Sequence, residues 1–483
     1  MKRRAVHNTV LSISVMTVMA SSTAFARPVL HFSDAVTVAD RFQKYSPEMM
    51  RRREEAEKVI ASNKEKTRRN PDDVQAHKAL GDAYLFLEEY ESAFNSYKEV
   101  LRLKPNDAQA YRGMGEAYEK VGEDAKALDF YKEAVRHDPK FARAQTDLGK
   151  ALVALFRYKE AISPLTEGIR LKATGEIDHD DYFNLGEAYL NTNQYQDAVV
   201  AYQKALQMLP GHVWSQVGMA EAYNALKQYE NAIASVKRAR DEHPYDRKTN
   251  RVLGDSYAGM GQYEKAIEYY KESIRVSAHR YQIEALLGLG RTYLTMGRHE
   301  EALETFQKGI QYASTPRQFA GDDEINPWFL SALYFGVAQA DVNLGRGKTA
   351  AEAARKYIEL QTWSDQNSTY AALMSYFGNR KSGQNEEARK MLDEASAHME
   401  AKTWPAPVFK YLKGDLNEDG LLKLAIDNDK MTEARAYVGM NLALAGRGDA
   451  ARPHLEWVVK NGNREFIEYI FAQSELNRLT KAR

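Results

Sequence analysis

ALGDAYLFLEEYESAFNSYKEVLRLKP (79–105) and GMGEAYEKVGEDAKALDFYKEAVRHDP (113–139) are variants of one unit. Their central alanines are Ala93 and Ala127, and the series continues at Ala161, Ala198, Ala232, Ala266 and Ala302. Weaker copies centre on Ala350, Ala388 and Ala451. Gly or Ala stands twelve residues earlier (Gly81, Gly115, Gly149, Gly186, Ala220, Gly254, Gly290), and Tyr follows three later in six of these seven units. Each unit has apolar residues at helical spacing in two segments, which predicts a pair of amphipathic helices. Gly122, Gly261, Gly297, Gly345, Gly383 and Gly446 fall between the two segments, where a left-handed residue ends a helix. Pro105, Pro139, Pro210 and Pro244 close units, since proline cannot continue a helix. One pair cannot bury its own apolar face, so pairs must stack.

This pattern resembles the tetratricopeptide repeat (TPR), strongly over 74–316 and weakly over 331–395 and 432–465. The resemblance implies an all-α, right-handed superhelical solenoid of antiparallel helix pairs with helical caps, about 20 helices in all. Residues 27–73 read as an N-terminal segment and capping helix, 74–316 as seven repeats, and 317–400 as an insertion loop plus two degenerate repeats. Residues 401–483 form a C-terminal helical module with a last repeat-like pair. That module is similar to those of exported TPR proteins and lipoprotein adaptors. Residues 316–330, PRQFAGDDEINPWFL, read as a loop-like insertion.

Residues 1–26 carry a basic start (Lys2, Arg3, Arg4), an apolar run (10–20) and Ala24-Phe25-Ala26, the pattern of a secretory signal cleaved after Ala26. A periplasmic or secreted location is expected, with no integral membrane segment after cleavage. With no Cys in the chain, disulfides, thiolate chemistry and a cysteine lipid anchor are excluded. Lys+Arg and Asp+Glu are 67 each, so no basic field favours nucleic acid. Without the first 26 residues the balance becomes 64 against 67.

Local motifs read as structure. Gly345-Arg346-Gly347-Lys348-Thr349 lacks the first glycine and the strand of a phosphate loop. Arg447-Gly448-Asp449 falls in an inter-helix turn. Asp415-x-Asn417-x-Asp419-Gly420 begins like a calcium loop, but its twelfth position is Ile426, and Asn417 suits a helix cap. Asp178-His179-Asp180-Asp181 could hold a metal weakly but reads as an acidic helix start. No catalytic residue, metal or cofactor is assigned.

The TPR resemblance implies that positions two, five, nine and twelve of each first helix line a concave face. Position nine is acidic in five of seven units: Asp82, Glu116, Glu187, Glu221 and Asp255, with Lys150 and Arg291 in the others. Two readings stay open. In one, Lys78–Asp82, Arg112–Glu116 and Arg251–Asp255 are i,i+4 ion pairs of exposed helices. In the other, Phe183, Glu187, Leu190, Trp214, Val217, Glu221, Arg251 and Asp255 form a partner-binding groove with an apolar middle and acidic rim. That groove suits a protein or peptide segment carrying basic residues. The expected function is a noncatalytic periplasmic scaffold or adaptor in envelope assembly or export. The alternative is an accessory subunit of an envelope protease, hydrolase, or polysaccharide or pilus machine.

Overall fold

The computed structural model describes residues 47–481, apart from 174, 245, 278–281, 315–326, 364 and 401–402. The signal-like residues 1–26, segment 27–46 and most of the 316–330 insertion lie outside the described residues. Its last four residues, 327–330, are not loop but the first turn of a helix. Among the described residues there are 24 helices and no strand. They fall into two compact units that divide between Leu226 and Lys227.

The first unit holds α1 (Pro47–Arg69), α2 (Val74–Phe86), α3 (Tyr90–Leu103), α4 (Ala108–Lys120), α5 (Asp124–His137), α6 (Ala142–Ala154), α7 (Tyr158–Leu171), α8 (His179–Leu190), α9 (Tyr195–Met208) and α10 (Val213–Ala225). The second begins with α11 (Tyr229–Glu242), α12 (Arg247–Gly259), α13 (Tyr263–Arg275), α14 (Ile283–Thr295) and α15 (His299–Ala313). It continues with α16 (Pro327–Leu344), α17 (Gly347–Gln361), α18 (Asn367–Lys381), α19 (Asn385–Ala397), α20 (Ala406–Lys413), α21 (Glu418–Leu424), α22 (Asn428–Leu444), α23 (Gly448–Asn461) and α24 (Ile467–Lys481). Within each unit, successive helices pack as antiparallel pairs on their neighbours, an all-α solenoid arrangement.

First and second helices start differently. Several first helices open on an aspartate cap: Asp73 accepts from the Ala76 N–H, Asp107 from Ala110 and Asp246 from Thr249. Second helices α3, α7, α9, α11 and α13 open on tyrosine directly after the turn, with no side-chain cap. The turn itself satisfies the ending helix. Beyond Gly122, at φ 78°, the Glu123 N–H returns to the Tyr118 carbonyl at 2.9 Å.

The pair interior is built on small-to-aromatic contact. Ala93, Ala127, Ala161 and Ala198 are fully buried, as are Tyr97 and Tyr202. Tyr97 lies between Gly81 of its own repeat and Gly113 of the next. A Cβ on those glycines would come within 2.6 and 2.3 Å of the ring. In the second unit, α16 and α22 are buried on most faces, and α24 returns to cover them. Lys381 pairs with Glu475 at 3.0 Å, and the Arg478 guanidinium donates to the Val342 carbonyl at 3.0 Å and to that of Asn343. The Arg478 bonds satisfy carbonyls at the C-terminal end of α16.

Candidate partner-binding surface

In the first unit a cavity of about 490 Å³ is lined by Asp82, Leu85, Phe86, Gln109, Arg112, Glu116, Lys120 and Arg143, with Glu88 and Tyr90 at the α2–α3 turn. Gln109 and Arg143 hold position two of their repeats, Arg112 position five, Asp82 and Glu116 position nine, and Leu85 position twelve. Six lining residues thus hold the four first-helix positions named from sequence, in repeats one to three, and Phe86 and Lys120 hold the thirteenth position beside them. The sequence reading placed the groove further along the chain. It missed this cavity because Gln109, Lys120 and Arg143 look like ordinary solvated residues one at a time.

The charges that line it are largely engaged. Asp82 accepts from the Tyr97 hydroxyl at 2.7 Å. Arg112 reaches Glu116 at 3.1 Å and Asp147 of the next repeat at 2.6 Å. The expected Lys78–Asp82 pair does not form. Lys78 spans to Asp107, the cap of the next first helix, at 2.8 Å. Lys150 likewise reaches Asp181 at 3.0 Å. Position-five and position-nine cations of repeats one to three thus tie each first helix to the following one, a partner some thirty residues away that i,i+4 reasoning does not consider.

Asp181 is fully buried and is also bonded by Lys172 at 2.5 Å. Against the desolvation that would raise it, the two lysines hold its carboxyl below the usual range. It closes a capping box with Asp178, which bears out the acidic helix start.

Of the residues assigned to a groove, six fall in the first unit. Leu190 and Val217 are buried in the interior, so they are not surface. Glu187 is buried as well and accepts from the Tyr202 hydroxyl at 2.6 Å. Phe183 and Glu221 are half-buried, and Trp214 is 41% exposed. Phe183 stands edge-on to His212, ring centres 5.0 Å apart, and His212 stands edge-on to His179 at 5.0 Å. Burial, with His179 beside it, pushes the His212 imidazole below its ordinary pKa.

Arg251 and Asp255 lie in the second unit. They form the expected i,i+4 pair at 2.7 Å. Arg251 is nearly buried and also reaches Glu284 at 2.9 Å, while Asp255 accepts from the Tyr270 hydroxyl at 2.7 Å.

Asn417 caps α21, accepting from the Gly420 N–H at 2.8 Å, and Gly345 and Gly446 are left-handed turns between helices. One carboxylate pair escaped the sequence reading. Glu433 and Glu468, on α22 and α24, are each 1% exposed. Glu433 accepts from the Trp404 indole N–H at 2.8 Å, and Glu468 from the Tyr437 hydroxyl at 2.5 Å. Burial pushes Glu468 up to about 7, and burial with Glu468 nearby pushes Glu433 well up. Buried from solvent, the pair belongs to the interior of the second unit.

Models of the tetratricopeptide repeat match residues 211–278, 245–314 and 180–212, with further matches at 108–141 and, as TPR repeat, at 81–122. The chain carries tetratricopeptide repeats. No protein of curated function matches it. Among solved structures, YrrB, a TPR protein with an unusual peptide-binding site, is 21% identical, with a TM-score of 0.35, over 39% of this chain and 96% of its own. MamA is 25% identical, at 0.32, over 35% and 92%. A TPR protein from Parabacteroides merdae is 16% identical, at 0.40, over 54% and 98%. TPR units support a protein–protein interaction scaffold. No helix among the described residues is long and apolar enough to cross a membrane.

Proposed function

We propose that this protein is a noncatalytic scaffold or adaptor that holds a segment of a partner protein against its first-helix face. The carrying observation is the 490 Å³ cavity, whose walls come mostly from the first helices of repeats one to three. A row of polar and aromatic side chains on rigid helices suits an extended or helical segment. A second contact area is centred on Phe183 and Trp214 with Glu221, and Arg251 and Asp255 belong to the corresponding face of the second unit. Glu187 and Asp255 already hold tyrosine hydroxyls, which makes them less available to basic residues of a partner.

The pattern of residues 1–26 supports export, cleavage after Ala26 and a periplasmic role in envelope assembly or export machinery. N-terminal sequencing of the protein from its native host tests this: a chain still beginning at Met1 refutes it. Function is tested by capture from envelope extract with wild-type protein, Gln109→Ala/Arg143→Glu and Phe183→Asp/Trp214→Ala. Loss of the same partners in a folded variant supports the scaffold. Undiminished capture by both overturns it.

The alternative, an accessory subunit of an envelope enzyme acting through the C-terminal module, draws support from Ile426, which is 81% exposed beside a half-exposed Leu424. Leu424→Glu/Ile426→Glu separates the two readings. Retained capture with lost stimulation of the enzyme favours the accessory role.

A further inference from the structure

His179 and His212 are 33 residues apart in sequence, so no ligand spacing joins them. The fold brings them together. His179 is the first residue of α8, and His212 immediately precedes α10, which packs beside α8. Asp180 adds a carboxylate oxygen 3.3 Å from the His179 Nε2. One donor atom from each of the three lies within 4.8 Å of the others.

We propose that His179, His212 and Asp180 form a three-ligand site for a borderline transition-metal dication, with Zn²⁺ as its reference ion. Two imidazoles and one carboxylate suit zinc, nickel or copper and disfavour magnesium and calcium, which take oxygen cages. The second His is already oriented: its Nδ1 meets the Ser215 hydroxyl at 2.7 Å, and Ser215 is fully buried. An Nδ1–H donated to that oxygen leaves the Nε2 lone pair for the metal, the usual arrangement of a ligating histidine. Phe183 packs against the same ring and limits its rotation. A tetrahedral site needs donors roughly 3.4 Å apart, given metal–nitrogen bonds near 2.05 Å. His179 and Asp180 are 30% and 52% exposed, so rotation of their side chains closes the gap.

The helix starts beneath the site carry partial positive charge, which opposes a cation. Asp178 and Asp180 in the same first turn offset it. A bound ion would join the fourth and fifth repeats through their first helices. Its fourth position would face solvent beside Phe183, open to a histidine or carboxylate of a partner.

The test is calorimetric titration of ZnCl₂ into untagged full-length protein, with MgCl₂ as the counter-probe. We expect one Zn²⁺ per chain with a dissociation constant near or below ~10 µM, no saturable Mg²⁺ binding, and a rise in melting temperature with Zn²⁺. His179→Ala and His212→Ala should each weaken binding about tenfold or more, and Asp180→Asn should weaken it without touching the Asp178 cap. Far-UV circular dichroism reports whether each variant is folded. Should His212→Ala fail to fold, a visible Co²⁺ band present in wild type and lost in His179→Ala alone carries the same decision. Equal Zn²⁺ affinity in His179→Ala/His212→Ala, or no saturation of wild type, overturns the site. Loss of Zn²⁺ binding with partner capture retained leaves the scaffold reading standing.

Discussion

A tyrosine hydroxyl explains most of the acidic residues that looked like a binding rim. In repeats one, four and six the second helix carries Tyr97, Tyr202 and Tyr270, and each donates to its repeat's position-nine acid. Tyr131 of repeat two departs from the rule and donates to Glu119, one turn away from Glu116. Where Leu165 or Phe306 replaces tyrosine, position nine is Lys150 or Arg291. In repeats one, four and six the acid is the acceptor that a buried hydroxyl needs, whereas repeat five keeps Glu221 although Val236 replaces its tyrosine. Tyr202→Phe should cost about 2 kcal/mol in urea denaturation, the scale of a hydrogen bond to a charged group. Glu187→Gln, which keeps a carbonyl acceptor, should cost less. The buried Glu468 makes a pH prediction. Its folded pKa, about 7, lies above the unfolded value near 4.5, so the folded form holds more protons between them. Stability from this group is complete below pH 4.5 and falls as pH rises through 7. The second unit should lose roughly 1–3 kcal/mol between pH 5 and pH 8. Glu468→Gln, which still accepts from Tyr437, should reduce that dependence in calorimetry, and burial of Glu433 supplies what remains.

At the scale of the element, the inter-helix turn is one device made from different residues. Gly122, Gly261 and Gly297 adopt φ of 72–78° there. Glu88, Phe156, Asn193 and Lys227 occupy the equivalent turn at φ of 58–66°. Sequence showed only the glycine versions. The others are held left-handed because the return bond remains: the Glu89 N–H reaches the Tyr84 carbonyl at 2.9 Å, as in the glycine turns. A side chain in that region costs roughly 1–2 kcal/mol. Phe156→Gly should therefore raise stability by about 0.5–1 kcal/mol, the relief less the entropy of glycine. A lower midpoint in thermal denaturation would refute the strain. The converse holds inside the helix pair. Gly113→Ala places a methyl group into the Tyr97 ring and should destabilise the first unit by about 1–3 kcal/mol.

At the scale of the whole molecule, the C-terminal helix is part of the second unit's core rather than an appendage. Phe471 and Ala472 are buried, and Arg478 closes the end of α16. Deleting residues 467–481 should expose that core, seen as new binding of a hydrophobic dye and loss of the cooperative melt of the second unit. Truncation is thus a poor means of separating a C-terminal function from the repeats, whereas surface changes at Leu424 and Ile426 leave the core intact.

The repeat period, the helix pairs, the glycine turns and the proline stops were legible in the residues. Each is a local or nearest-neighbour requirement that recurs at fixed spacing. What sequence left open was which charges face each other. Lys78 meets Asp107, Arg112 meets Asp147, and His179 meets His212 only when one repeat is laid on the next. The buried pair of Glu433 and Glu468 likewise exists only because α24 folds back on α22. Hydrophobic periodicity specifies each helix from its own residues, but a polar contact depends on the partner that stacking brings within 3 Å, and only the tertiary structure supplies it.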